Sequence, residues 1–404
     1  MLICKAVVVV VATEAAGAGS AGRAEAEWKD PKRYAWLLGL VVPAIPFLAW
    51  GLVGLTGLDV FWWLGPVLIF GVFPAFDLLF GEDPTNPPES AMPRLAKDRF
   101  YMWANLLFIP IQYASLIVGS ALLVRESMSV VDRIGFATTI GMIGGIGIAA
   151  AHEMGHRREK VEVFLAKVTL AQTGYGHFVV EHNRGHHARV ATPEDPATAR
   201  MGESFYRFLP RTIFGGILSC WRLEKGRLAR KGKSPWTPRN NVLQGWLVTA
   251  ALFGALSAVF GLELLPYLVL QAVLGFMMLE VVNYLEHYGL LRRKNANGGY
   301  ERTAPEHSWN SNRVASNVLL YNLQRHSDHH ANPGRRYQML RDFPDAPQLP
   351  AGYATMILRA VVPPWWFHVM DKKVLEHYDG DITRCNVHPA KRAKLLARYG
   401  AAAR

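Results

Sequence analysis

The chain has 404 residues, half of them hydrophobic, and a formal net charge of +12. Cys4, Cys220 and Cys385 are scattered without a CxxC pair, which excludes a disulfide framework and a thiolate-bound iron or zinc site. The length would suit two or three soluble domains, but the apolar residues fall in blocks of membrane-spanning size, for which about 20 residues suffice.

The N-terminal string "MLICKAVVVVVATEAAGAGSAG" has the look of a weak signal peptide, yet its apolar run is too short to span. Cleavage would also leave the new N-terminus outside, against the charge of Lys29, Lys32 and Arg33. Residues 1–33 are therefore expected to form a disordered cytoplasmic tail. Six transmembrane helices are predicted, over about 34–55, 60–80, 101–124, 134–151, 242–262 and 264–285. The turns around Gly57 to Asp59 and around Glu263 carry no Lys or Arg, whereas 24–33, 82–99, 157–239 and everything after 290 are rich in them. The positive-inside rule then puts both termini and the segments 152–241 and 286–404 in the cytoplasm, leaving Arg125 and Arg133 outside. The positive charge is thus a statement about topology first; no nucleic-acid motif accompanies it, and nucleic acid is not an expected partner. Residues 34–404 read as one membrane-embedded catalytic domain. "GMIGGIG", residues 141–147, lies within the fourth span with no strand before it, so close helix packing through small residues explains it better than a nucleotide loop.

Of the fourteen histidines, nine fall in four places: His152 and His156 in "HEMGH", His182, His186 and His187 in "EHNRGHH", His287 in "NYLEHYG", and His326, His329 and His330 in "LQRHSDHH". Spacings of three and four put side chains on one helix face, where two can share a metal. Adjacent histidines such as His186 and His187 diverge by about 100° on a helix and so reach two different metals. The topology brings all nine to one membrane face. Imidazole suits zinc, copper, iron and nickel, and nine ligands exceed what one ion can hold, so two ions are implied. Glu153, Glu181, Glu286 and Asp328 are placed to orient ring N–H groups from behind the ligands, or else are solvated polar residues at the interface. "HEMGH" also satisfies HExxH, the signature of a zinc protease with Glu153 as base, but that reading leaves most of the other histidines unexplained. A transport role would need polar groups across the midplane, which the spans lack. His177, His307, His368, His377 and His388 are expected to be structural.

Boxes of the form HxxxH, HxxxHH and HxxHH resemble the integral-membrane diiron hydroxylase and desaturase superfamily, and alone they leave hydroxylase and fatty-acyl desaturase nearly even. The fuller strings "HEMGHR", "EHNRGHH", "NYLEHYGL" and "LQRHSDHHANPGRRYQ" resemble the signature segments of membrane-bound alkane 1-monooxygenases. The resemblance runs from the first span to about Pro364. It implies an all-α integral membrane protein, six transmembrane helices with a cytoplasmic histidine-rich catalytic cap, in the bacterial inner membrane. It also implies two non-haem irons held by the nine histidines. The implied reaction is terminal hydroxylation of medium-chain n-alkanes to 1-alkanols with O₂. Electrons come from rubredoxin, itself reduced by an NAD(P)H-dependent rubredoxin reductase. An alkane offers no hydrogen bond, so selection must rest on an apolar channel, with lining expected from the first four spans. Since the chain carries no rubredoxin-type cysteine pairs, the basic runs 222–233 and 335–341 either dock an acidic redox partner or only mark topology.

Overall fold

Each apolar block of the sequence forms a helix, and each helix ends where local chemistry stops it. The computed structural model describes residues 28–400 apart from residue 126. Its six spans are Ala35–Thr56, Asp59–Phe80, Arg99–Leu123, Val130–Gly155, Asn241–Phe260 and Leu262–His287. Gly57, with a left-handed φ of 69°, closes the first and returns its N–H to the Val53 carbonyl. The Asp98, Ser129 and Asn240 side chains accept backbone N–H groups at the starts of the third, fourth and fifth. Leu55, Leu78 and Val259 are 73–84% exposed, as side chains meeting lipid should be. Among the described residues there is no strand ladder, only isolated bridges.

The fourth span is the axis of the bundle, buried along most of its length. A Cβ at Gly141 would lie 2.6 Å from the Gln271 carbonyl oxygen, and one at Gly145 2.8 Å from that of Gly275. The glycine-rich string is therefore what lets the fourth and sixth spans touch backbone to backbone. The two contacts advance together along both chains, so these helices run parallel. Their last turns, carrying His152 and His287, consequently emerge at the same end.

The segment 152–241 departs from expectation. Helix Lys160–Ala171 turns back along the fourth and fifth spans, and Gln172 at its end donates to the Ile140 carbonyl. That carbonyl lies twelve residues before His152, about 18 Å down the helix. There Gln172 accepts from Gln112 at 2.7 Å and donates to Gln271 at 3.2 Å. Polar groups do occur at mid-depth, then; the three amides bond one another, with Gln112 Oε1 left without a partner. The charges on the returning helix disguised it in the sequence: Lys167 is buried, its ammonium held by Asn241 and Gln244 at 2.7 and 2.6 Å.

Beyond the sixth span the chain folds into a cap whose core includes Tyr288, Trp309, Trp366 and Met370. Of the tail expected over residues 1–33, residues 1–27 lie outside the described residues. Residues 28–33 are held in place: Lys32 bonds Asp83 at 2.7 Å, Asp30 accepts from Trp36 and Tyr101, and Arg33 pairs with Asp98.

Candidate metal centre

The nine histidines converge in two adjoining groups. His152, His156, His182, His187 and His329 form one, and His186, His287, His326 and His330 the other; within each, one ring nitrogen per residue lies within 4.8 Å of all the rest. The neighbours His186 and His187 fall in different groups, as do His329 and His330. His187 and His330 stack across the boundary with ring centroids 4.3 Å apart.

Local backbone geometry sorts the second box. Residues 182–186 form a π turn, in which the His187 N–H reaches the His182 carbonyl five residues back. In a regular α-helix, residues five apart point about 140° away from each other. The wider turn brings them to one side, with His182 and His187 Nε2 atoms 3.1 Å apart. The third box is fixed by Arg325, fully buried, which donates to the carbonyls of Asp83, Thr85 and Leu340 and so clamps the box to the linker between the second and third spans.

The nitrogen spacing tests whether these residues suit a metal. Nε2 of His182 lies 2.7 Å from that of His152, and Nε2 of His187 lies 3.1 Å from that of His329. In the other group the pairs His186–His330 and His287–His326 are each 3.2 Å apart. Ligand bonds of about 2.1 Å at right angles would place neighbouring nitrogens about 3 Å apart. His156 Nε2 is buried without any hydrogen-bond partner, an orphan that a metal would satisfy. Burial first, then the surrounding imidazoles, hold His182, His187, His329 and His330 well below the usual imidazole pKa. Neutral rings with free lone pairs are the ligating form. The residues present fit a two-metal site.

The carboxylates proposed to stand behind the ligands stand elsewhere. Glu153 pairs with Arg157 at 2.9 Å, Glu181 with Arg189 at 2.8 Å and Asp328 with Arg335 at 2.6 Å, and no hydrogen bond joins any of the three to a histidine ring. Glu286 does meet a histidine, but at the Nε2 of His326, 3.2 Å away, on the side where a metal would sit; Tyr353 holds its other oxygen at 2.6 Å. The group that does act from behind is Asp195, which sequence reasoning missed: its Oδ2 accepts from His186 Nδ1 at 2.8 Å and from the Thr198 hydroxyl at 2.6 Å. Burial pushes Asp195 up, but His186 and Thr198 outweigh it and hold the carboxyl at about 2. The other is a backbone carbonyl, that of His307, 3.3 Å from His287 Nδ1. Nothing in the helical spacing of "TPEDPAT" marks Asp195; only its nearness to the HxxxHH box could have.

The remaining histidines lie outside the two groups. His177 accepts from Trp246, and the His307 ring accepts the Ala304 N–H at Nδ1 while its Nε2 faces Glu301 at 3.2 Å. In the trio Glu301, Glu306 and His307 both ring nitrogens are thus engaged, and Glu306 is an exposed carboxylate 3.6 Å from the ring.

An apolar cavity ends on the centre. Ile69 and Phe73 of the second span, Ile146 and Ala149 of the fourth, and Met278 and Leu279 of the sixth form its wall. Leu320 and Ile357 of the cap close it, and His152, His182, His326 and Glu286 stand at its inner end. The expected lining from the first and third spans is not there. Those helices pack outside the fourth, and the sixth takes their place.

Six spans and two histidine groups at one end define an integral-membrane protein with a histidine-rich metal site. The family described as fatty acid desaturase matches residues 133–389. The chain is 45% identical over 379 residues to an alkane 1-monooxygenase of Acinetobacter baylyi, covering 92% of each chain. It is 44% identical over 374 residues to that of Ectopseudomonas oleovorans, covering 93% of each. A more distant relative, the hydroxylase component of a xylene/toluene monooxygenase from Pseudomonas putida, is 28% identical over 232 residues, 57% of this chain and 61% of the relative. The chain belongs to the alkane 1-monooxygenase family and is an enzyme, an oxidoreductase.

Proposed function

We propose that this enzyme hydroxylates the terminal carbon of medium-chain n-alkanes, giving 1-alkanols, at a centre of two non-haem irons held by the nine histidines. The observation that carries the reading is the apolar cavity whose inner end is built from both histidine groups. His152, His156, His182, His187 and His329 hold one iron, and His186, His287, His326 and His330 the other. When bound, the irons supply the redox chemistry that activates O₂.

The protein's part is to bind and orient. Nothing in an alkane can be recognised by charge, and each methylene packed against Ile69, Ile146 or Leu279 contributes about 0.8 kcal/mol. A chain threaded lengthwise presents its terminal methyl to His152, His182 and His326. The aliphatic wall keeps water from that end, while Asp195 and the His307 carbonyl fix the rings of His186 and His287.

Electrons are supplied by reduced rubredoxin, fed by an NAD(P)H-dependent reductase. Of the two basic runs, 335–341 is engaged internally: Arg335 with Asp328, Arg336 with Glu162 and Arg341 with Glu89. The run 222–233 is the better docking face. Arg222, Lys225 and Arg230 are exposed, and Glu224 beside them pairs with Arg184 of the second histidine box. The centre lies at the cytoplasmic face of the inner membrane, where such a donor is found.

The test is an ¹⁸O₂ turnover of purified, iron-loaded protein with reduced rubredoxin, offering octane and a saturated fatty-acyl substrate in parallel. Labelled 1-octanol is the expected product. An olefin, or no oxidation of either substrate by protein with iron bound, would replace this reading.

A further inference from the structure

A second, smaller cavity, with room for one or two waters, lies on the other side of the wall formed by Phe178, His182 and Asn283, residues that line both. Its wall is also largely apolar, but more polar groups stand in it than in the first. Glu280 stands in it, accepting from Tyr175 Oη at 2.5 Å, Thr212 Oγ1 at 2.9 Å and Asn283 Nδ2 at 3.1 Å. Glu181 and His182 also line it, and each has a buried atom without a partner, Glu181 Oε2 and His182 Nδ1. A water bridging such groups would meet the two to four polar partners it needs. The way out is polar as well. The other oxygen of Glu181 accepts from Arg189, one-third exposed, which also donates to Ser219.

We propose that water held in this second cavity, ordered by Glu280, passes protons to the metal centre. The inference rests on the hydroxylation reading above. In that reaction one oxygen atom enters the C–H bond and the other leaves as water. The O–O and C–H bonds break and C–O and O–H bonds form. Two electrons come from the one-electron protein donor, and two protons come from solution. Those protons cannot arrive through an aliphatic channel, where an isolated charge is strongly disfavoured. The molecule therefore separates its traffic: hydrocarbon reaches His182 from one side, and protons from the other, through water held by Glu181, Glu280 and Thr212.

Gly216 gives a way to block the route. It lines the cavity, and a Cβ there would touch the Glu181 Cγ at 3.8 Å, ordinary contact distance. Gly216→Ala should therefore fit and Gly216→Val intrude. The first readout is hydroxyl-radical footprinting of metal-free protein in detergent, in which resident water labels the otherwise buried Tyr175. Wild type and Gly216→Ala should label alike, and Gly216→Val several-fold less. The second is turnover of iron-loaded protein. Gly216→Val and Glu280→Gln should keep their iron yet run about tenfold slower, with a raised solvent deuterium isotope effect. An unlabelled Tyr175 in wild type, or a Gly216→Val enzyme with wild-type rate and isotope effect, overturns the proposal. So does an equal loss of rate in both Gly216 variants with labelling unchanged. Labelled Tyr175 in a wild-type protein that makes no alkanol would sink the hydroxylation reading and leave the water in place.

Discussion

Asp195→Ala is the sharpest probe of how the second histidine group is held. In the wild type His186 Nδ1 donates to a carboxylate 2.8 Å away, itself almost fully buried and fixed by the Thr198 hydroxyl and the Ala197 N–H. Truncation leaves the Nδ1–H with no acceptor in a dry site, a cost of about 1–3 kcal/mol. The ring also loses the bond that fixes its tautomer with Nε2 free toward His330, 3.2 Å away. Losses of this kind weaken metal binding by about 10–100-fold. Since His186 belongs to the four-histidine group, one iron should be lost before the other. Titration of the purified variant with a chelator, followed by iron analysis, should give two steps, the earlier shifted by one to two decades from wild type. Asp195→Asn, which keeps an acceptor, should fall between. A chelator titration of Asp195→Ala superimposable on wild type would falsify the assignment of Asp195 as the support of His186.

Three further outcomes are expected. His326→Ala or His330→Ala should abolish turnover and lower bound iron, and full activity with iron retained would remove that residue from the site. Ala354 lines the apolar cavity from helix Tyr353–Ala360, so Ala354→Phe should shorten the longest accepted alkane. Each excluded methylene should lower kcat/KM for long substrates about fourfold; an unchanged chain-length profile would count against threading. Burial raises Asp371 from the usual 3.8 to about 6, partly offset by the Tyr288 hydroxyl. A raised carboxyl pKa means the folded state binds the proton more tightly, so its contribution to stability is present below about pH 4 and is lost as pH rises to about 6. The loss is about 3 kcal/mol. Asp371→Asn should flatten that part of the unfolding curve measured in detergent; parallel curves for variant and wild type would refute it.

The spans were legible because apolar length is a strong signal, and a close helix contact because the glycines of "GMIGGIG" can only serve close approach. The convergence of the histidine boxes followed from the topology of the spans. The parting of His186 from His187 followed from helical spacing, since neighbours on a helix cannot share a face. What was hidden has physical reasons too. The π turn at 182–186 is a backbone choice that side-chain periodicity does not encode, so the pairing of His182 with His187 could not be read. Helix Lys160–Ala171 carries Lys160, Glu162 and Lys167, and Glu162 and Lys167 find partners only within the fold. Carboxylates next to histidines in the sequence were the natural candidates to hold the rings, yet on a helix adjacent residues diverge. A partner for Nδ1 had to come from another segment, and Asp195 reaches it from a loop.

That displacement bears on how the site is built. Glu153, Glu181 and Asp328 each neutralise an arginine, Arg157, Arg189 and Arg335, that lies within eight residues along the chain. The boxes thus carry their own counter-charges. Each helix end can enter the centre with its neutral imidazoles forward and its buried carboxylate neutralised by a nearby arginine. Three other buried carboxylates near the centre make a specific contact instead: Asp195 on His186, Glu286 beside His326 and Glu280 in the second cavity. Two of these three, Glu280 and Glu286, sit six residues apart on the sixth span, and they face different cavities. A single helix therefore contributes a wall of the hydrocarbon channel, a metal-facing histidine and a polar group to the water route. Small rotations of the sixth span should alter all three at once. The backbone contacts of Gly141 and Gly145, which forbid such rotation, are as much a requirement of the chemistry as of the fold.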